Sequence, residues 1–266
     1  MCRVYGVTRA GFYAWCSREP SLRAQENMNL VEKIKKVHRA SRSIYGSPRV
    51  YRRLREQGVS VGENRVAKLM KNYGIKGRVA TLRYTSPNLK KFFGCLPNQQ
   101  HEHPADALNQ VWVGDITYLK VGSIYRYLAV VMDRCSRRIV GWAFGRQKNV
   151  VLTLRALNHA VTKRHPPPGL IFHTDRGIEY YANAFRARLA QLHITRSMNR
   201  PGKVTDNAFM ESFFHSMKSD VIHGCTFTED HQMLAVLRSY IPFYNRSRMH
   251  SSLNYVSPAT YEIQLA

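Results

Sequence analysis

The sequence predicts an α/β fold, in which a mixed five-stranded sheet with flanking helices follows a small all-α unit. Three observations carry this expectation. Before residue 110 apolar residues recur with a helical period. Between 111 and 144 three short runs rich in β-branched and aromatic residues follow one another, and after 150 helix-like and strand-like stretches alternate. Hydrophobic residues make up 44% of the 266, enough to bury a core.

Taken in chain order, residues 29–40 place Leu30, Ile34 and Val37 (with Val31) on one helical face. After the turn-like S-I-Y-G-S-P, residues 48–57 read as a second helix, with Pro48 tolerated in its first turn and Gly58 ending it. Ser60 and Glu63 have the spacing of a capping box. Val66, Leu69, Met70 and Tyr73 then repeat as one apolar face, opposite Asn64, Arg65, Lys68 and Lys71. Two helices joined by a glycine turn, the second with an apolar back and a basic front, fit a helix-turn-helix DNA-binding unit. The alternative is a helical bundle with a solvated basic face.

Residues 78–109 lose periodicity and hold Pro87, Lys90, Lys91, Pro97 and Pro104, so they read as a linker. The expected organisation is a helical lead-in over 1–28, the helix-turn-helix-like domain over 29–77, this linker, and an α/β core with a C-terminal tail over 110–266. Within that core, 111–119, 125–132 and 139–144 read as consecutive antiparallel strands. A helix over 150–165 is stopped by Pro166, Pro167 and Pro168. A strand at 170–173, a helix at 182–192, a strand at 194–197 and helices over 206–223 and 229–244 complete the order. That succession is compatible with a ribonuclease-H-like sheet.

The formal net charge is +24, with 21 Lys and Arg against 5 Asp and Glu in residues 1–100, and 20 against 12 in the remainder. A basic chain with no run of about 18 apolar residues points to a polyanionic partner, nucleic acid by default, and away from a membrane. The N-terminus lacks a signal-peptide layout, so a cytoplasmic location is expected. Five scattered cysteines, never spaced as C-x-x-C, argue against a disulfide framework or a zinc ribbon. Cys95 with His101 and His103 lacks a fourth ligand at a sensible spacing.

Three acids stand out in the α/β region. Asp115 sits inside an apolar strand, W-V-G-D-I-T-Y-L. Asp175 follows a strand in I-F-H-T-D-R-G, and Glu211 lies in the first turns of a helix. A carboxylate in an otherwise buried strand is costly unless something neutralises it. Three converging carboxylates make a hard-oxygen site of the kind Mg²⁺ prefers. Asp133 reads as a hairpin-turn residue and Asp206 as an N-cap.

Longer motifs then become visible. W-x-x-D-I-T-Y spans residues 112–118 and H-T-D-R-G-x-x-Y spans 173–180. S-M-N-R-x-G-x-x-x-D-N-A-x-x-E-S-F-F-x-x-x-K spans 197–218, and 35 residues separate Asp175 from Glu211. Tyr244, Asn245, Arg248, His250, Ser251, Leu253, Ser257 and Pro258 supply a Y-N-x-x-R-x-H-S-x-L…S-P tail. Together these resemble the DDE transposases of bacterial insertion sequences, of the OrfB type with a retroviral-integrase-like catalytic core. Thr174 and Asn199 stand where that family usually has Ser.

The resemblance implies metal-dependent DNA strand cleavage and strand transfer, with Asp115, Asp175 and Glu211 as the catalytic, metal-binding triad. The cofactor it implies is a pair of Mg²⁺ ions, Mn²⁺ being equally suited to an all-carboxylate site. Lys218, two helical turns beyond Glu211, would contact a DNA phosphate, and Asn207 would contact DNA or order the site. Asn64, Arg65, Lys68 and Lys71 would add DNA contacts from the helix-turn-helix segment. Implied partners are double-stranded DNA with terminal inverted repeats, further copies of the chain on that DNA, and an upstream-frame protein or fusion. The last follows from the opening C-R-V-Y-G-V-T-R-A-G-F-Y-A-W, which is similar to the lead-in of the family's second reading frame. The competing reading is a non-catalytic DNA-binding regulator or an inactive remnant.

Overall fold

The computed structural model describes residues 2, 4, 6–19, 21–78, 98, 105–200 and 204–265. Most of the expected linker, with Cys95, His101 and His103, lies outside the described residues. The chain divides into two compact units, Met1–Arg78 and Val79–Ala266.

The first unit is helical throughout: α1 (Arg9–Cys16), α2 (Leu22–Ala40), α3 (Ser47–Glu56) and α4 (Glu63–Asn72). Helix α2 starts seven residues before the apolar periodicity does, because Ser21 caps it by accepting from the Ala24 amide at 3.3 Å. Its buried stripe of Leu30, Val31, Ile34 and Val37 meets Val50 and Leu54 of α3 and Val66, Leu69 and Met70 of α4. The capping box expected at Ser60 is not formed. Gly62 is the N-cap and makes no side-chain bond, so Glu63 opens the helix and its charge favours the N-terminal end of the dipole instead. Tyr73 follows the last turn and is half exposed rather than part of the core.

The second unit is built on one five-stranded sheet ordered β3-β2-β1-β4-β5. Strands β1 (Val111–Val121), β2 (Ile124–Asp133) and β3 (Ile139–Gly145) form the antiparallel meander. Strands β4 (Ile171–Thr174) and β5 (Thr195–Met198) add in parallel beside β1. This is the mixed, ribonuclease-H-like arrangement that the element order predicts.

Helix α5 (Val150–Arg164) packs on β2 and β3 through Leu152, Ala156, Leu157 and Ala160. The approach is close enough that a Cβ on Gly141 would lie 2.3 Å from the Ala156 carbonyl. The single helix expected over 182–192 is a short α6 (Ile178–Tyr181) followed by α7 (Asn183–Gln191). They break at Ala182, whose backbone is extended. The helix expected from 206 begins as a 3-10 turn, Val204–Asn207, continues as α8 (Ala208–Met217) and ends in a π-helical turn, Lys218–Ile222.

Helix α9 (Asp230–Arg246) and helix α10 (Pro258–Leu265), the latter unforeseen in the sequence reading, close the chain. Glu262 anchors α10. It accepts from Ser136 Oγ at 2.8 Å and from Arg164 at 2.6 and 2.9 Å, and it also pairs with Arg138. Asp133 is the turn residue expected, fully buried, accepting from the amides of Asn109, Cys135 and Ser136. No described helix is long and apolar enough to cross a membrane.

Candidate active site

Asp115 lies in mid-β1, opposite Val130 of β2, with Ile116 donating its backbone N–H to Asp115 Oδ1 at 2.7 Å. On its other side β1 runs parallel to β4, and the last paired residues are Gly114 and Thr174. The next position along each strand is Asp115 and Asp175, so the two carboxylates are neighbours across strands spaced about 4.8 Å apart. Burial pushes the Asp115 carboxyl well above the ordinary value of 3.8. The Asp175 charge adds to that, and the Ile116 bond and the Lys148 charge oppose it. Burial also raises Asp175, against the Gly177 N–H that donates to its Oδ1 at 3.0 Å. Two partly buried carboxylates, the charge of Asp175 acting on Asp115, call for a cation.

Gly177 makes this crowding possible. A Cβ there would stand 2.9 Å from Asp175 Oδ1 and 3.1 Å from Glu179 Oε2. Beneath the pair, His173 is fully buried on β4. Its Nε2 is hydrogen-bonded to Asn199 Oδ1 at 2.7 Å, and its Nδ1 to Ser197 Oγ at 2.8 Å. Asn199, where the resembled family usually has Ser, therefore belongs to the link that holds β4 to the end of β5. Tyr180 closes the floor, its ring packed on Phe172 and Phe185; burial, then the charges of Asp115, Asp175 and Glu179, hold its hydroxyl protonated.

Glu211 stands on α8, which packs against β1, but its side chain is exposed. Its charge acts on Asp115, while burial alone raises its own pKa. Among the described residues no three His, Cys, Asp or Glu side chains come close enough to hold one ion. The structure thus brings Asp115 and Asp175 together and leaves Glu211 at the surface facing them. Lys218, at the end of α8, is partly buried. Burial lowers its pKa and the Asp115 charge pulls it back, which puts its ammonium within range of that carboxylate.

Asn207 is the N-cap of α8, 2% exposed, and among the described residues neither polar atom of its amide has a hydrogen-bond partner. Asp206 is not the cap that its sequence position predicts. It is buried under Arg200, whose backbone N, Nε and Nη2 all donate to it, and Asn98 Nδ2 donates at 2.7 Å.

In the first unit Asn64, Lys68 and Lys71 are exposed on α4. Arg65 is partly buried and bonded to Asn27 Oδ1 at 2.9 Å and Glu26 Oε2 at 3.0 Å, so it ties α4 to α2.

Two residues beside the carboxylates escaped the sequence reading. Glu179, 6% exposed, lies in α6 inside the H-T-D-R-G-x-x-Y stretch, and its place beside Asp175 in that motif was the available signal. Lys148 enters from the loop before α5, with Nζ 3.7 Å from Glu179 Oε1 and 5.7 Å from the centre of the Tyr118 ring. No local pattern marks it.

Residues 105–204 match the family described as integrase core domain, and 192–258 match a second family of that description. Residues 24–81 match the HTH-like domain. The chain is 37% identical over 263 residues to the insertion element IS600 uncharacterized 31 kDa protein of Shigella sonnei, covering 98% of this chain and 97% of that protein. It is 36% identical over 247 residues to the transposase for insertion sequence element IS904 of Lactococcus lactis, covering 92% of this chain and 98% of the relative. Among solved structures, the HTLV-2 integrase catalytic core domain in complex with magnesium covers 58% of this chain and 97% of its own, at 18% identity and a TM-score of 0.43. With the transposase InsF for insertion sequence IS3A of Escherichia coli the identity is 35% over 268 residues, 98% of this chain and 92% of InsF; the chain belongs to the family of insertion-sequence transposases with an integrase core.

Proposed function

We propose that this chain is a DDE-type transposase whose triad is Asp115, Asp175 and Glu211. The observation that carries the reading is the Asp115–Asp175 pair, adjacent just past the last paired residues of β1 and β4, with both carboxyls raised in pKa by burial and Asp115 raised further by the Asp175 charge. Their oxygens are a donor set that fits Mg²⁺ or Mn²⁺, with Glu211 turning in from α8 to complete it. A pair of divalent ions bound there would acidify an attacking oxygen and stabilise the leaving one.

The chain's own residues then have distinct tasks. Asp115 in β1 and Asp175 just past β4 would hold the divalent ions that receive the scissile phosphate. Lys218 supplies positive charge to that phosphate, and Asn207 offers an uncommitted amide one turn before Glu211. Water attacks the phosphorus at an element end and its 3′ P–O bond breaks, leaving a 3′-OH. That hydroxyl attacks a phosphorus in a second strand, forming one P–O bond as another breaks. No protein–DNA covalent bond is required. Asn64, Lys68 and Lys71 present an exposed basic face for duplex DNA, while Arg65 acts chiefly as the brace between helices. The DNA is taken to carry terminal inverted repeats, bound by several copies of the chain with an upstream-frame partner or fusion.

The test is cleavage and joining of labelled element-end DNA with Mg²⁺ or EDTA. Wild type should give metal-dependent joined products. Glu211→Gln should lose at least about 100-fold of the activity, and because Glu211 is exposed its melting temperature should be unchanged. Activity surviving in that variant would refute the triad.

A further inference from the structure

The mechanism above leaves unused an ion pair beside the carboxylates. Lys148 Nζ lies 3.7 Å from Glu179 Oε1, with the Lys148 side chain 33% exposed and that of Glu179 only 6%. Glu179 Oε2 is buried with no hydrogen-bond partner, so nothing else among the described residues engages that oxygen. The ammonium is also near enough for its charge to act on both Asp115 and Asp175. It is a tethered cation at the edge of a site that must receive a free one.

We infer that Glu179 is a positioning residue that holds Lys148 aside, so that the ammonium does not neutralise Asp115 and Asp175 in competition with a divalent ion. The inference rests on reading those two aspartates as metal ligands. Its physical basis is proximity. Four charged groups share one small, partly desolvated volume, where an ion pair formed by Lys148 with either aspartate would oppose metal binding directly. Glu179 offers Lys148 a buried partner four residues from Asp175, and the Tyr118 ring, 5.7 Å from Nζ, gives the ammonium a second favourable contact on that side. Gly177 keeps the Glu179 and Asp175 carboxylates close together without a side chain between them.

The experiment is Mn²⁺ binding alone, by calorimetry, to the full chain and to Asp115→Asn, Glu179→Gln, Lys148→Met and the Glu179→Gln/Lys148→Met double variant. Relative to wild type, E179Q should raise the Mn²⁺ Kd by about fivefold and K148M should lower it by a similar factor, while the double variant should match K148M within about twofold. An equal weakening by E179Q in both backgrounds would show that Glu179 acts on the metal directly and would overturn the inference. So would an unchanged Kd in E179Q alone. If E179Q does not fold, K148M decides, because a Kd that fails to fall removes the competition. A D115N Kd equal to that of wild type would instead sink the underlying assignment of the metal site.

Discussion

Asp115 and Asp175 are neighbours across the parallel β1–β4 pair, one step beyond the Gly114–Thr174 register pair. Without a counter-ion their juxtaposition opposes folding. An acid whose folded pKa is raised makes no demand below its unfolded value, here 3.8, and costs stability increasingly as pH rises from there to the folded value, above which the cost is constant. Asp115→Asn removes the charge at nearly constant volume. The metal-free variant should melt at least about 2 °C above wild type near pH 7, with the gap closing in acid. Thermal unfolding in EDTA across pH measures it; an equal or lower melting temperature for D115N near neutrality contradicts the repulsion.

Gly177 separates two carboxylates that a methyl group would collide with. Gly177→Ala should weaken Mn²⁺ binding by about tenfold, since Asp175 must rotate away to admit the Cβ, while overall stability changes by about 1 kcal/mol or less. Calorimetry beside a melting curve separates the two effects, and an unaltered Kd would show that the site has slack.

At Gly141 the constraint is packing rather than chemistry. An added Cβ meets the Ala156 carbonyl at 2.3 Å and the Ala160 amide at 2.6 Å, both backbone atoms of α5. Gly141→Ala should therefore destabilise the core by about 2–3 kcal/mol as α5 is pushed off the sheet. Denaturant unfolding is the check; a variant within about 0.5 kcal/mol of wild type would mean the helix shifts freely.

Glu262 gives the C-terminal tail its hold. Burial raises its pKa, but Arg164, Ser136 and Arg138 outweigh that and keep it below the ordinary 4.5. Its contribution is present above that value and lost as pH falls through the folded one. Glu262→Ala strands Arg164 and should cost about 2–3 kcal/mol, reduced from a fully buried pair by the partial exposure of Arg138. The loss should shrink below about pH 4. An unfolding midpoint for E262A equal to that of wild type at neutral pH would show the tail contributes nothing.

The sequence by itself determined the order of the five strands and most of the helices, and it singled out Asp115, Asp175 and Glu211 as candidates. Val111 to Val121 alternates and branches like a strand, Asp115 interrupts it, and 35 residues separate Asp175 from Glu211; each signal recurs within a few positions or a fixed motif. Helix starts were less legible. Gly62, not Ser60, caps α4, and Asp206 is enclosed by Arg200 and Asn98 instead of capping α8. A cap depends on where the backbone leaves the extended region, which side-chain type only biases. Only the tertiary structure decided that Arg65 braces α2, that Glu211 stays at the surface while the aspartates pair, and that Lys148 meets Glu179. Those two residues lie thirty-one positions apart, Lys148 on the loop before α5 and Glu179 in α6, so no periodicity links them. Pairing β4 with β1 sets Asp175 beside Asp115 and Glu179 near both, and packing α5 on β2 and β3 brings the Lys148 loop to the same carboxylates.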